Sequence, residues 1–312
     1  MTLEQPIAIT GGTGFVGQAV LDVAGENGVM IEALARKHSD RQHSRVEWVL
    51  GDLHDQKALD RLAAGARAVI HIAGLTNTPD PAQFARVNVE GTANVIAAAK
   101  RDGVKRFVFV SSLSAREPQL SRYGASKAEA EELVKASGLD WTIVRPPAVY
   151  GPRDVDMFEL FRTAKWGVVP LPPRGATSII HVHDLARLLL SLVGSSNGAA
   201  TGPMSKQTYE PDDGREGGWS HKELARAIGQ AMGSRVLAPH LPKPVLEGAA
   251  RLDRLFRRGG AKLTADRVGY MCHPNWVARS DKAVPTSIWA PRIEGEVGLR
   301  QTAAWYRKEG WL

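Results

Sequence analysis

The chain of 312 residues contains a single cysteine, Cys272, so no internal disulfide can form and a reducing compartment suits it best. It lacks any apolar run near the roughly 18–20 residues that a membrane span requires. The longest candidates, Ala68–Ile72 and Leu188–Val193, match a strand or half a helix. No basic leader, long apolar core or small-residue cleavage site precedes Ile7–Ile9, so a cytoplasmic location is expected. Repeats of 20–50 residues, a collagen period and heptad arrays are absent too. With 43% hydrophobic and 23% charged residues, the chain has enough apolar side chain for a large core in one domain or two close ones.

The net charge of +7 is unevenly spread. Residues 1–156 hold 18 Lys+Arg against 19 Asp+Glu, and residues 157–312 hold 22 against 14. The basic excess therefore lies in the second half. Either it is a solvated surface or it faces something acidic, such as a phosphate-bearing substrate or anionic lipid headgroups. Nucleic acid is not expected, because no base-reading motif or aromatic-rich basic patch occurs. No metal is expected.

From residue 5 to about 150 one unit recurs: a short β-branched run, a turn and a helix-period segment. The runs are Ile7–Thr10, Met30–Ala35, Val69–Ala73, Phe107–Ser111 and Trp141–Val144; the helical segments are Gly14–Ala24, Gln56–Ala64, Phe84–Arg101 and Gly124–Ser137. Strands apolar throughout, alternating with such helices, predict an α/β fold with a Rossmann-type doubly wound parallel sheet. Prolines at 146, 147, 152, 170, 172 and 173 then break the rhythm before a strand at Ser178–Val182 and a helix at Asp184–Val193, where Asp184 reads as the N-cap. A dinucleotide-binding domain over 1–150, rejoined by 178–195, and a mainly substrate-binding region over 151–312 are expected. Residues 194–219 read as an exposed loop with a short strand near Gln207–Tyr209, and Ser220 to Glu223 as a capping box opening a helix.

Thr10-Gly-Gly-Thr-Gly-Phe-Val-Gly17 follows the first strand and opens the first helix. Gly11, Gly14 and Gly17 supply a tight turn, close approach of backbone to a pyrophosphate, and strand–helix packing. The second strand ends in Arg36 and Lys37, where an acidic residue would hold a free ribose hydroxyl and a basic one a 2′-phosphate. NADP(H) is therefore expected over NAD(H). Phe107-Val-Phe-Val-Ser-Ser112 ends a buried strand in hydroxyls, and Tyr123 and Lys127 lie four apart on one helix face. A phenol with a pKa of about 10 is brought toward neutral pH by an adjacent ammonium, which suits it to proton transfer, with Ser112 bonding the reacting oxygen. Ser111 and Ser114 flank Ser112 and are alternatives to it.

These motifs, with Gly51-Asp-Leu53, His71-Ile-Ala-Gly74, Asn88-Val-Glu-Gly-Thr92, Arg145-Pro-Pro-Ala-Val-Tyr-Gly-Pro152 and His181-Val-His-Asp184, make the chain resemble the extended short-chain dehydrogenase/reductase family, also called NAD-dependent epimerase/dehydratase-like. The resemblance implies a catalytic set of Ser112, Tyr123 and Lys127. It implies cofactor contacts from Gly11, Thr13, Gly14, Phe15, Val16, Gly17, Arg36 and Lys37, from Asp52 (on adenine), Leu53, Ala73, Gly74 and Ser111, and from Pro146, Val149, Tyr123 and Lys127. Asn88 reads as a buried structural amide, with a direct catalytic part as the alternative, and His181 and His183 as strand-end packing, with ligand contact as the alternative. The interval from Ser112 to Tyr123 is shorter than is usual for sugar-nucleotide members, which argues against that substrate class.

The segment Lys243–Arg258 places Val245, Leu246, Ala249, Leu252, Leu255 and Phe256 on one stripe, bordered by Arg251, Arg254, Arg257 and Arg258. Such a helix either lies on an anionic membrane or faces the core with a solvated basic side. Trp166, Val168, Val169 and Leu171 form an apolar rim or part of the core. The chain resembles hydroxysteroid dehydrogenases and bacterial sphingolipid ketoreductases within the family. That implies an NADP(H)-dependent reductase of a ceramide-type or steroid-type ketone, peripherally associated with a membrane. A sugar-nucleotide epimerase or dehydratase is the alternative, as is a non-catalytic subunit resembling the complex I 39-kDa accessory protein. The resemblance also suggests a homodimer.

Overall fold

The computed structural model describes residues 5–37, 45–194, 204–257 and 263–312, and it divides into two compact units. The first comprises residues 1–145, 185–209 and 284–289; the second comprises 146–184, 210–283 and 290–312. Arg258 and Lys262 of the basic stretch, and 195–203 of the expected loop, lie outside the described residues.

The first unit is built on β1 (Ile7–Thr10), α1 (Phe15–Glu26), β2 (Ile31–Ala35), β3 (Val46–Leu50), α2 (Gln56–Ala63) and β4 (Ala68–His71). Next, α3 (Ala82–Phe84) runs through a π-helical turn, Ala85–Glu90, into α4 (Gly91–Arg101), followed by β5 (Arg106–Val110), α5 (Arg122–Ala136) and β6 (Asp140–Val144). The strands, joined by Gln207–Tyr209, form a seven-stranded sheet in the order Gln207–Tyr209, β6, β5, β4, β1, β2, β3. Every pairing is parallel, which makes this a Rossmann-type doubly wound α/β sheet.

The apolar runs become the central strands because both of their faces are covered. β1, β4 and β5 are buried at every position, and Phe107, Phe109 and Ile143 pack against α2, α4 and α5. Each such side chain contributes about 1.5–3 kcal/mol when fully buried. The sequence pattern missed β3. Its residues, Val-Glu-Trp-Val-Leu, are only half buried at the sheet edge, so they carry no continuous apolar signal. The short strand expected near Gln207–Tyr209 closes the opposite edge against β6.

The helix Val182–Ser191 begins in the second unit and ends in the first. There the fully buried Arg106 donates to the Leu192 carbonyl from Nε and Nη2, at 2.8 and 2.6 Å, and to Thr142 Oγ1 at 2.6 Å. Asp184 is not the N-cap read from sequence. It lies in the first turn, buried, and its carboxylate accepts from the backbone N–H groups of Arg292 and Ile293 at 2.9 and 3.0 Å.

In the second unit Ala148–Tyr150 pairs in parallel with Ile179–His181, one residue shorter at each end than expected. A small sheet places Ala176–Thr177 between Trp219–Ser220 and Asn275–Trp276. Ser220 and Glu223 form the reciprocal capping box of the helix His221–Met232. Tyr150, Phe161, Leu299 and Tyr306 anchor this unit's core. Among the described residues no helix is long and apolar enough to cross a membrane.

Candidate functional site

Strand order reverses between β1 and β4, so the loops leaving their C-terminal ends diverge there, the place where open α/β sheets bind ligands. The loop after β1 is the glycine turn. Gly11 has φ +78°, and a Cβ on it would lie 2.7 Å from the Ala73 nitrogen; a Cβ on Gly17 would lie 2.0 Å from the Gly11 carbonyl. Only glycine permits either approach. Helix α1 starts on Gly14, which has no side chain to cap it, leaving first-turn N–H groups for an anion. This cradle fits a dinucleotide pyrophosphate. Thr13, Phe15 and Val16 lie on the same turn and the start of α1.

A line of hydrogen bonds fixes the facing loop. Thr10 and His71 are paired in register, and Thr10 Oγ1 lies 2.6 Å from His71 Nδ1. The Thr92 hydroxyl donates to the Asn88 carbonyl at 2.6 Å, so its oxygen accepts from His71 Nε2–H at 2.9 Å. That assigns the proton to Nε2 and leaves Nδ1 to accept from Thr10, whose oxygen in turn accepts the Ala73 N–H at 3.3 Å. Burial, aided by the Lys127 charge, pushes the His71 pKa down to about 3 and keeps the ring neutral. Ala73 and Gly74 are thereby held beside the glycine turn.

Asn88 sits in the π-helical turn and pairs with the backbone of Leu75 in both directions: Oδ1 accepts from its N–H at 2.7 Å and Nδ2 donates to its carbonyl at 3.0 Å. Nδ2 also donates to Ser126 Oγ at 2.9 Å, whose hydroxyl donates to the Tyr123 carbonyl. The amide thus links the loop after β4 to the first turn of α5.

Ser121 caps α5, accepting from Gly124 N–H at 2.9 Å. A Cβ on Gly124 would lie 2.6 Å from the Ser114 carbonyl, so glycine allows the helix carrying Tyr123 to pack on the turn that Ser112 begins. Tyr123 is half-buried, with its ring centroid 6.1 Å from that of Phe84. Lys127, one turn on, is buried. Its Nζ donates to the Val110 carbonyl at 2.7 Å, stands 4.4 Å from the Phe109 ring centroid, and lies 3.7 Å from the position of a Cβ on Gly74. Burial pushes its pKa down to about 8, against the upward pull of Glu131.

The three serines are distinguished by their partners. Ser111 is buried and donates to Glu131 Oε1 at 2.5 Å, and Arg145 grips the same carboxylate from Nε and Nη2 at 2.8 and 2.6 Å. Ser114 is buried, whereas Ser112 is half-buried and its oxygen accepts from Ser114 N–H at 3.1 Å. Glu131 had no place in the sequence reading. Its signal was the i, i+4, i+8 run of Tyr123, Lys127 and Glu131 along α5.

At the other strand ends, Gly51 N–H bonds the Ala35 carbonyl at 3.0 Å, so Arg36 and Asp52 each follow a member of one bonded pair. Arg36 and Lys37 are exposed; Asp52 Oδ1 accepts from His54 N–H at 2.8 Å, and Leu53 is buried beneath. Glu32 lies inside β2 opposite Glu47, and burial with that neighbouring charge raises its pKa. In the second unit, Pro146 is buried and Val149 pairs with Ile180. His181 packs edge-on against Tyr150, and burial holds its pKa near 4.

Known proteins are similar to this chain. The NAD(P)H-binding family matches residues 11–194. Ceramide reductase of Caulobacter vibrioides (strain NA1000 / CB15N) is 36% identical over 323 residues, covering 98% of this chain and 96% of its own. N-acetyl-alpha-D-glucosaminyl-diphospho-ditrans,octacis-undecaprenol 4-epimerase of Escherichia coli O157:H7 is 26% identical over 297 residues, covering 85% and 84%. The crystal structure of gox2253 aligns with a TM-score of 0.75 at 25% identity over 98% of this chain and 99% of that one. The chain belongs to the NAD(P)H-binding, extended short-chain dehydrogenase/reductase family and is an NAD(P)-dependent oxidoreductase of that type.

Proposed function

We propose that the protein reduces a ketone on an amphiphilic, lipid-like substrate of ceramide or steroid type, using NADPH. The observation that carries this reading is the likeness to a ceramide reductase along 98% of the chain, coupled with Ser112, Tyr123 and Lys127 on one turn–helix assembly. NADPH, when bound, supplies the hydride that reaches the carbonyl carbon. Tyr123 gives its phenolic proton to the carbonyl oxygen, so the product is the alcohol. The buried Lys127 ammonium favours the phenolate left behind, which lowers the cost of that transfer. Ser112 holds the carbonyl by a hydrogen bond from its hydroxyl.

The preference for NADP(H) rests on Arg36 and Lys37, exposed at the end of β2, while Glu32 lies inside the strand. Substituting Arg36→Ala is expected to weaken NADPH binding by about tenfold or more, the worth of a charge-assisted hydrogen bond, and to leave NADH binding unchanged. Equal losses for both cofactors, measured by titration, would remove the assignment.

The test of the reaction is NADPH consumption with a panel of lipid ketones in mixed micelles, using Tyr123→Phe as control. A sugar-nucleotide epimerase is the second reading, favoured by the 4-epimerase relative that spans 85% of this chain. An epimerase, which starts from the oxidised dinucleotide, would interconvert its substrate with no net consumption of cofactor.

A further inference from the structure

The second unit carries an apolar surface that its own core does not use. In the helix Lys243–Arg257, Leu246 and Ala250 are buried against Val268, with Leu241, Leu263 and Cys272 around them. Val245, Ala249, Leu252 and Phe256, spaced i, i+4, i+7 and i+11, occupy a separate strip of the cylinder, and all four are exposed. Leu255 borders them. Phe256 is 80% and Leu255 71% exposed. The apolar stripe read from sequence therefore splits: a narrow edge faces the core and the larger part faces outward.

A second exposed group lies in the same unit. Of the run Trp166 to Leu171, Val169 and Leu171 are buried, while Trp166 is 82% exposed and Val168 stands out beside it. Val168 bridges to Leu237, itself 73% exposed, and Leu237 begins the short segment leading to Lys243. Apolar side chains exposed one after another along a single strip of a helix mark an interaction surface.

Charge decides what that surface meets. Residues 243–267 hold seven Lys and Arg against three carboxylates. Glu247 already stands 3.9 Å from Lys243, and Asp253 accepts from Leu263 N–H at 2.9 Å. A second copy seated on this face would bring the same cationic excess against itself. A bilayer with anionic headgroups brings the opposite charge and an apolar interior for the stripe, and tryptophan is favoured at such a boundary. We infer that the face formed by Val245, Ala249, Leu252, Leu255 and Phe256 docks on an anionic bilayer surface, with Trp166 and Leu237 as further interfacial contacts. This goes beyond the reaction proposed above and does not depend on it.

The experiment is flotation of the full chain with vesicles of phosphatidylcholine alone or with about 30% phosphatidylglycerol, at low and high salt. The protein is expected to bind the anionic vesicles at least about tenfold more tightly and to be released by salt. Leu252→Glu with Phe256→Glu is expected to abolish binding, and Arg251→Glu to weaken it, while NADPH affinity and circular dichroism stay unchanged. Absence of vesicle binding, or binding that the double variant retains, overturns the inference. So does a dimer that the double variant splits while vesicles go unbound, which would give the face to a second copy. Turnover of micellar ketones without vesicle binding would sink the docking surface and leave the reductase reading standing; vesicle binding without turnover would do the reverse.

Discussion

In the proposed reaction Lys127 keeps its proton in a buried place, and burial opposes it. Burial lowers its pKa to about 8, while Glu131, held by Ser111 and Arg145, pulls it upward. Below about 8 the ammonium is present and favours the Tyr123 phenolate; above it the charge is lost. Turnover is therefore expected to fall as pH rises through about 8. Substituting Glu131→Gln removes the upward pull, so the falling limb of the kcat–pH profile moves to lower pH. A limb that stays in place would show that Glu131 serves only to hold Arg145. Tyr123 and Lys127 were legible in the sequence because a four-residue interval on a helix fixes a shared face. The chain from Thr10 through His71 and Thr92 to Asn88 was not legible, because it depends on the Thr10–His71 register between strands 61 residues apart.

At the scale of elements, the glycine turn shows how one missing methyl group sets a strand–helix junction. In Gly17→Ala the new Cβ would meet the Gly11 carbonyl at 2.0 Å and Gly12 Cα at 2.7 Å, so α1 must move off the turn. A destabilisation of about 1–3 kcal/mol and weakened dinucleotide binding are expected, read by chemical denaturation and NADPH titration. Gly25, eight residues along the same helix, is exposed and has nothing within 4 Å of a Cβ. Gly25→Ala is expected to stabilise the protein by up to about 1 kcal/mol and leave binding unchanged. If the two substitutions behave alike, the contact argument fails. Central strands and covering helices could be read from periodicity, since burial on both faces writes a continuous apolar run. The edge strand β3 and the π-helical turn that aims Asn88 leave no such trace, the first because half of it faces outward, the second because its apolar spacing stays close to that of a helix.

Across the whole molecule, the two units divide the properties that the sequence displays. The first contains the glycine turn, Arg36, and all of Ser112, Tyr123 and Lys127; the second contains the exposed face of the helix Lys243–Arg257. The charge asymmetry between halves follows this division only in part: residues 146–184 of the second unit hold four Lys and Arg against four Asp and Glu, and the basic excess lies after them. Composition could not say which side of the basic helix faces outward, because both candidate faces carry apolar residues and only packing against Val268 chooses between them.

Reduction of a lipid ketone with Tyr123 as proton donor is read out by following NADPH absorbance with lipid ketones in mixed micelles. The expected result is ketone-dependent loss of NADPH that Tyr123→Phe slows by at least about 100-fold while its NADPH affinity is kept. Bound NADPH that no lipid ketone consumes, together with interconversion of a sugar nucleotide by the protein supplied with the oxidised dinucleotide and with no net cofactor consumption, would contradict it.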